Sequence, residues 1–218
     1  MASSLLTLQD STEARVVDNN FQDVLAYINS LEAPLYPEAI DNTLAEEGQA
    51  IFSEKCAYCH GTYGINETYP NFLVDLETIG TDSLLSQSNF SENIFMDWYN
   101  TSWFAQEPYR GYLQGGNGYI APPLDGIWAT APYLHNGSIP TLEDLLNSPQ
   151  RPVYWKRSFQ TNDLDYTKVG WNYTVESSKV DNETYDSTLP GYGNQGHIFG
   201  DDLSNEGRRA LIEYLKTL

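Results

Sequence analysis

Five consecutive residues, Cys56-Ala57-Tyr58-Cys59-His60, constrain this chain more than anything else in its sequence. They hold both of its cysteines, and one of its three histidines follows directly on the second. Two cysteines at this spacing are poorly placed for a mutual disulfide, and alone they could form a redox dithiol. The adjacent histidine changes the reading. Two thiols so spaced meet the two vinyl groups of one porphyrin, and the neighbouring imidazole then sits under the iron. The rival, a structural zinc site, would want a second Cys or Cys/His pair, which the sequence lacks. The motif therefore predicts one covalently bound haem c, attached through Cys56 and Cys59, with His60 on the metal.

The segments around the motif predict how it is held. Thr43 with Glu46 three residues on reads as a capping box, and Leu44, Gly48, Ile51 and Phe52 then share one face of a helix leading into Cys56. At the other end, Ser204 can cap a helix whose apolar face is Ala210, Leu211, Tyr214, Leu215 and Leu218. A helix just before the motif and a helix at the chain end are the pair that cross in a cytochrome c fold, with Gly48 allowing close approach. Residues 77–104 read as one or two helices with Leu84, Leu85, Ile94, Phe95, Trp98 and Trp103 as core candidates. Residues 108–140 are rich in Gly, Pro and aromatics and read as a long ordered loop, after which Thr141 to Asp144 starts a helix reaching about Asn147. Residues 148–200 show only weak patterning. The expected architecture is all-α: a cytochrome c fold with long irregular Gly/Pro/Tyr-rich insertions. Residues 1–42 form an N-terminal arm with a linker helix (Phe21, Val24, Leu25, Ile28 and Leu31 at helical spacing, ended at Pro34), and residues 43–218 form the haem domain.

Charge narrows the partners. The chain has 30 acidic and 11 basic residues, a formal charge of -19. Nucleic-acid binding needs clustered Lys and Arg and is excluded on this balance. An acidic field attracts cations, so the expected partner is a redox protein with a basic docking face, although solubility alone also accounts for such a charge. No run of 18 apolar residues predicts a membrane span. The opening Met1-Ala2-Ser3-Ser4-Leu5-Leu6 lacks the basic start and apolar stretch of a signal peptide. Haem attachment to such a motif takes place outside the cytoplasm, so the expected location is periplasmic or extracellular, with the export signal not visible in this sequence. Six N-x-S/T sequons, at Asn66, Asn89, Asn100, Asn136, Asn172 and Asn182, hint at an extracellular surface, with a composition rich in Asn, Ser and Thr as the simpler account.

The second axial position has several candidates: His135, His197, Met96 and, weakest, Met1. Methionine gives a high-potential haem, histidine a lower one, and no ligand leaves an open site for oxygen or peroxide. Met96, in an apolar run beside Phe95 and Trp98, reads first as a core residue. His135 and His197 both sit among glycine-bearing loops, where plain surface exposure competes with ligation.

The stretch Ala121-Pro122-Pro123-Leu124-Asp125-Gly126-Ile127-Trp128-Ala129-Thr130-Ala131-Pro132-Tyr133-Leu134-His135-Asn136-Gly137-Ser138 resembles a segment of the dihaem cytochrome c peroxidase superfamily, in particular the C-terminal haem domain of the dihaem rubber oxygenases. The resemblance extends to Cys56 to Tyr63, Leu189-Pro190-Gly191, Gly196-His197-Ile198-Phe199-Gly200 and the final Leu211 to Leu218, and covers about residues 20–218. Residues 25–37 resemble the last helix and linker of a preceding haem domain. The departure is that such enzymes carry two attachment motifs and this sequence has one. In the rubber oxygenases the open, oxygen-binding haem belongs to the N-terminal domain, while the C-terminal haem is held by two histidines and passes electrons. The resemblance thus implies His197 as distal ligand, preferred to His135, which becomes a neighbour of the haem edge. Gly196 would let that loop approach the haem face opposite His60. Trp128 and Tyr133 are candidate pocket walls, Trp128 with core packing as the default over an electron relay. Arg110 is the candidate partner of a haem propionate, since guanidinium suits carboxylate.

Three readings follow, in order: an electron carrier with a six-coordinate His60/His197 haem and no catalytic residue; a peroxidase or oxygenase with an open distal site; a haem module docked into a larger redox assembly. A low-spin spectrum indifferent to carbon monoxide separates the first from the second.

Overall fold

The computed structural model describes residues 11–88, 94–106, 111–159 and 163–218. The chain divides into two compact units, Met1–Pro34 and Leu35–Leu218. The first contains α1 (Ser11–Asn29), which starts upstream of the periodic stretch that begins at Phe21 and stops ahead of Pro34. The second runs through α2 (Asn42–Lys55), α3 (Ala57–His60), β1 (Leu73–Asp75), α4 (Leu76–Ile79), α5 (Leu84–Ser88), α6 (Ile94–Thr101) and β2 (Gly118–Ile120). It continues with α7 (Leu142–Leu145), β3 (Tyr154–Arg157), β4 (Leu164–Asp165), β5 (Gly170–Trp171), β6 (Tyr173–Glu176), β7 (Tyr185–Asp186) and α8 (Asn205–Leu215).

Two helices make the frame. In α2 the cap is Asp41 rather than Thr43: its carboxylate accepts from the backbone N–H of Thr43 and Leu44 at 3.1 and 3.2 Å. An anion at a helix N-terminus also meets the positive end of the backbone dipole, which an upstream carboxylate does better than a hydroxyl. Ser204 caps α8 as the sequence predicts, accepting from Gly207 N at 3.1 Å. The two helices cross at Gly48, where a β-carbon would lie 2.0 Å from the Ala210 carbonyl oxygen, so only glycine permits this contact. Around the crossing, Phe52, Leu124, Tyr133, Ile139, Leu142, Leu211 and Leu215 form the buried core.

The all-α expectation is wrong. Among the described residues three small antiparallel sheets accompany the helices, and the architecture is mixed. β1 pairs with β2, β3 is the centre of a β6-β3-β7 sheet, and β4 pairs with β5. These strands are two to four residues long, too short for apolar alternation to show in the sequence. What holds the three-stranded sheet is non-local. Trp155 is 3% exposed, stacks on Tyr185 with centroids 5.3 Å apart, and donates its indole N–H to the Ser138 carbonyl at 3.1 Å.

The core expected between residues 77 and 104 is a second correction. Among the described residues that stretch holds the short α4, α5 and α6, and Leu84, Leu85, Ile94, Phe95 and Trp98 are all exposed. Segments of one or two turns cannot cover a continuous apolar face, and the buried core gathers at the α2–α8 crossing instead.

Candidate functional site

The attachment motif is built as one helical turn at the end of α2. Cys56 N–H donates to Phe52 O at 2.8 Å, and the N–H groups of Cys59 and His60 return to Cys56 O at 3.1 and 3.0 Å. Cys56, Cys59 and His60, at positions i, i+3 and i+4, therefore lie along one side of that turn. Gly61 ends it at φ +83, with Thr68 O only 1.9 Å from where a β-carbon would stand. Both thiols are free. Burial pushes Cys56 up to about 11, with Cys59 adding to the rise and Lys55 opposing it, and burial raises Cys59 as well. Redox dithiols work through a lowered thiol pKa, so this pair lacks the electrostatics of a disulfide-exchange site.

His60 is fixed by a backbone carbonyl. Its Nδ1 lies 2.8 Å from Pro122 O. A carbonyl only accepts, so Nδ1 carries the hydrogen and Nε2 presents its lone pair. Burial lowers the His60 pKa, and the Pro122 contact partly opposes this, so the neutral, metal-binding form prevails at neutral pH. The carbonyl is itself held. Pro122 follows β2, in which Val74 faces Tyr119 across the ladder. Tyr69 OH donates to Ala121 O at 3.0 Å, and Leu124 N–H donates to Tyr63 Oη at 2.6 Å.

The ring facing His60 is His197. Their centroids are 6.3 Å apart with planes at 62°. A metal–nitrogen bond is about 2.0–2.1 Å and a ring centre lies about 1.1 Å behind its nitrogen, so two imidazoles on one ion sit about 6 Å apart. The observed separation has that value. His197 is carried on a strained turn, with Gly196 at φ +78 and His197 itself at φ +45. Gly196 packs against α4's end so tightly that a β-carbon would stand 2.2 Å from Gly80 C and 2.3 Å from Thr81 N. His197 N–H donates to Ile79 O at 2.7 Å. Burial, then the neighbouring His60, pushes His197 down to about 4. Its Nδ1 is buried with no hydrogen-bond partner among the described residues.

These features fit a haem. Among the described residues no three His, Cys, Asp or Glu side chains converge as a metal cage. A six-coordinate ion between two imidazoles needs four more ligands in one plane, which is what a porphyrin supplies, with two thiols beside one imidazole to anchor it.

Of the other predicted residues, His135, Tyr133 and Trp128 have partners of their own. His135 stacks on Tyr119 with centroids 4.0 Å apart, and its Nε2 is buried without a partner. Tyr133 is buried in the core, its hydroxyl 3.2 Å from Ile127 O and 3.3 Å from Val169 O. Trp128 packs edge-on to Tyr36 at 5.6 Å. Met96 is half-buried on α6. Met1, Asn89 and Arg110 lie outside the described residues. Sequence reasoning missed Pro122 as a functional residue. Its signal was present, because a proline pair enforces extended backbone in which the first carbonyl makes no helix bond.

Comparison with known proteins gives a coarser result. Residues 118–156 match the family model described as RoxA-like, cytochrome c-like. The match runs from β2 through Pro122 and His135 to β3, and supports a cytochrome c-like relationship with a haem-binding redox role. It does not include Cys56 to His60. Two uncharacterized proteins of Sinorhizobium fredii are similar along most of the chain. y4iM is 29% identical over all of it and 58% of its own length; y4iJ is 28% identical over 86% of the chain and 41% of its own length. The chain thus spans about half the length of these curated relatives.

Proposed function

We propose that the chain is a one-electron carrier with a single haem c, bound through Cys56 and Cys59 and ligated by His60 and His197. The observation that carries this is the facing imidazole pair at 6.3 Å, one member of which has its tautomer fixed by Pro122 O. When bound, the haem supplies a one-electron iron couple, which two imidazole ligands hold at lower potential than a His/Met pair. The protein supplies everything else. Cys56 and Cys59 would hold the haem covalently, as thioethers. His60 is oriented by the Pro122 carbonyl, and His197 by its N–H bond to Ile79 and its packing on Gly80. Two histidines held from the backbone would stay in place as the electron comes and goes, and would leave no room for oxygen or peroxide.

The reading brings a compartment and a partner. Covalent haem attachment places the chain in the periplasm or outside the cell, and its -19 charge favours a redox partner with a basic face. Because the chain spans about half of its relatives, the partner can also be a further haem domain of a larger redox assembly.

The test is visible spectroscopy of the purified holoprotein. Colour retained through acid–acetone extraction, with low-spin spectra unchanged by carbon monoxide, is expected. His197→Ala should turn the ferric spectrum high-spin and open the ferrous form to carbon monoxide, while His135→Ala should do neither. High-spin, carbon monoxide-binding wild type would favour a peroxidase or oxygenase, and the reverse behaviour of the two variants would move the distal ligand to His135.

A further inference from the structure

Arg151, in the turn after α7, takes a positive charge into the interior, where it is 9% exposed. A guanidinium has five N–H donors, and here all five reach backbone carbonyls. Nε donates to Asp144 O at 3.1 Å. Nη1 donates to Asn194 O at 2.8 Å and Gly196 O at 2.7 Å, and Nη2 to Leu145 O at 2.7 Å and His197 O at 3.1 Å. Two of these carbonyls belong to the end of α7. The other three belong to one loop of four residues, the loop that presents His197.

That loop needs such a clamp. Gly196 and His197 both have positive φ, a conformation that costs a β-carbon-bearing residue about 1–3 kcal/mol and persists only where its surroundings over-determine it. Ile79 O and Gly80 fix the loop from one side. Arg151 gathers its carbonyls from the other and ties them to α7, which the core holds through the buried Leu142 and Leu146. A rigid planar fork can hold five carbonyls at once, whereas lysine has three donors on a flexible stem and cannot.

We propose that Arg151 is the positioning residue for His197, fixing its ring at ligand distance from His60 without touching the metal. This rests on the reading of His197 as distal ligand. In Arg151→Lys the charge stays and the fork is lost, so the ring should spend part of its time off the metal. The ferrous variant should bind carbon monoxide about tenfold faster or more than wild type, since a vacant position need be only fractionally populated to be trapped. Amide exchange at His197 should rise by about tenfold while the amides of α2 and α8 keep wild-type protection, a local loosening that a merely structural role would not produce.

The outcomes separate cleanly. A wild type that is already high-spin and takes carbon monoxide sinks the distal-ligand reading and this inference with it. A low-spin wild type beside an Arg151→Lys protein that is equally low-spin and inert sinks the inference alone. So does an Arg151→Lys chain that loses α2–α8 protection or yields no folded holoprotein, because a residue the whole domain needs is not one ligand's positioner.

Discussion

Cys56, Cys59 and His60 stand out in the sequence as candidates because covalent haem attachment would fix their spacing, and the turn of helix they form needs no distant partner. The residues alone offer His197 beside His135 and Met96, and only the resemblance puts it first. Nothing in Gln195-Gly196-His197-Ile198 announces that Ile79 and Gly80, over a hundred residues earlier, will seat it. Pro122 and Arg151 were less legible still, since one acts through its carbonyl and the other on carbonyls, and every residue has one. Gly61 is a residue whose role the structure makes specific. With φ +83 and ψ -168 it occupies a region essentially reserved for glycine, and Thr68 O fills the place of a β-carbon. Gly61→Ala should lower stability by about 2–4 kcal/mol from strain and clash together. Urea unfolding of the holoprotein measures this; a change under about 0.5 kcal/mol, the size of an ordinary surface substitution, would mean the turn relaxes freely.

At the level of elements, the helix pair was legible because its signals are local and periodic. The face Ala210, Leu211, Tyr214 and Leu215 is buried as read, and Gly48 meets Ala210. The strands were not, because Tyr154 to Arg157 become a strand only when Tyr173 to Glu176 and Tyr185 arrive beside them. The apolar run over α5 and α6 misled for the opposite reason: its spacing resembles a core helix, but the segments are too short to bury it. The start of α2 gives a direct comparison between the sequence signal and the geometry. The capping box makes Thr43 the key residue, whereas the structure gives the role to Asp41. Asp41→Ala should therefore cost about 1 kcal/mol, and Thr43→Ala less than about 0.5 kcal/mol. Thermal melts of the two variants decide it. Equal losses, or a larger one at Thr43, would restore the capping box.

Across the whole molecule carboxylates dominate the charge, 30 acidic residues against 11 basic ones. Of 11 basic residues, Arg151, Arg208 and Lys216 are buried. Lys55 sits 2.6 Å from Asp202, Lys156 2.6 and 2.8 Å from Asp181 and Glu183, and Lys216 2.6 Å from Glu213. The more exposed pairs, those of Lys55 and Lys156, add little to stability, and because each pair cancels a carboxylate with its lysine, the outward field is that of the unpaired carboxylates. A field of that sign concentrates cationic reactants and repels anionic ones, and mobile salt cancels it beyond about 10 Å at 0.1 M. Electron exchange with a small cationic complex such as hexaammineruthenium should therefore outpace exchange with an anionic one such as ferricyanide, after correction for driving force, by tenfold or more at about 10 mM salt. The gap should close as salt rises toward about 1 M, where the screening length falls to about 3 Å. Stopped-flow rates over that range test it. If both reagents react with the same salt dependence, charge does not steer electron exchange, and the preference for a basic partner loses its physical ground.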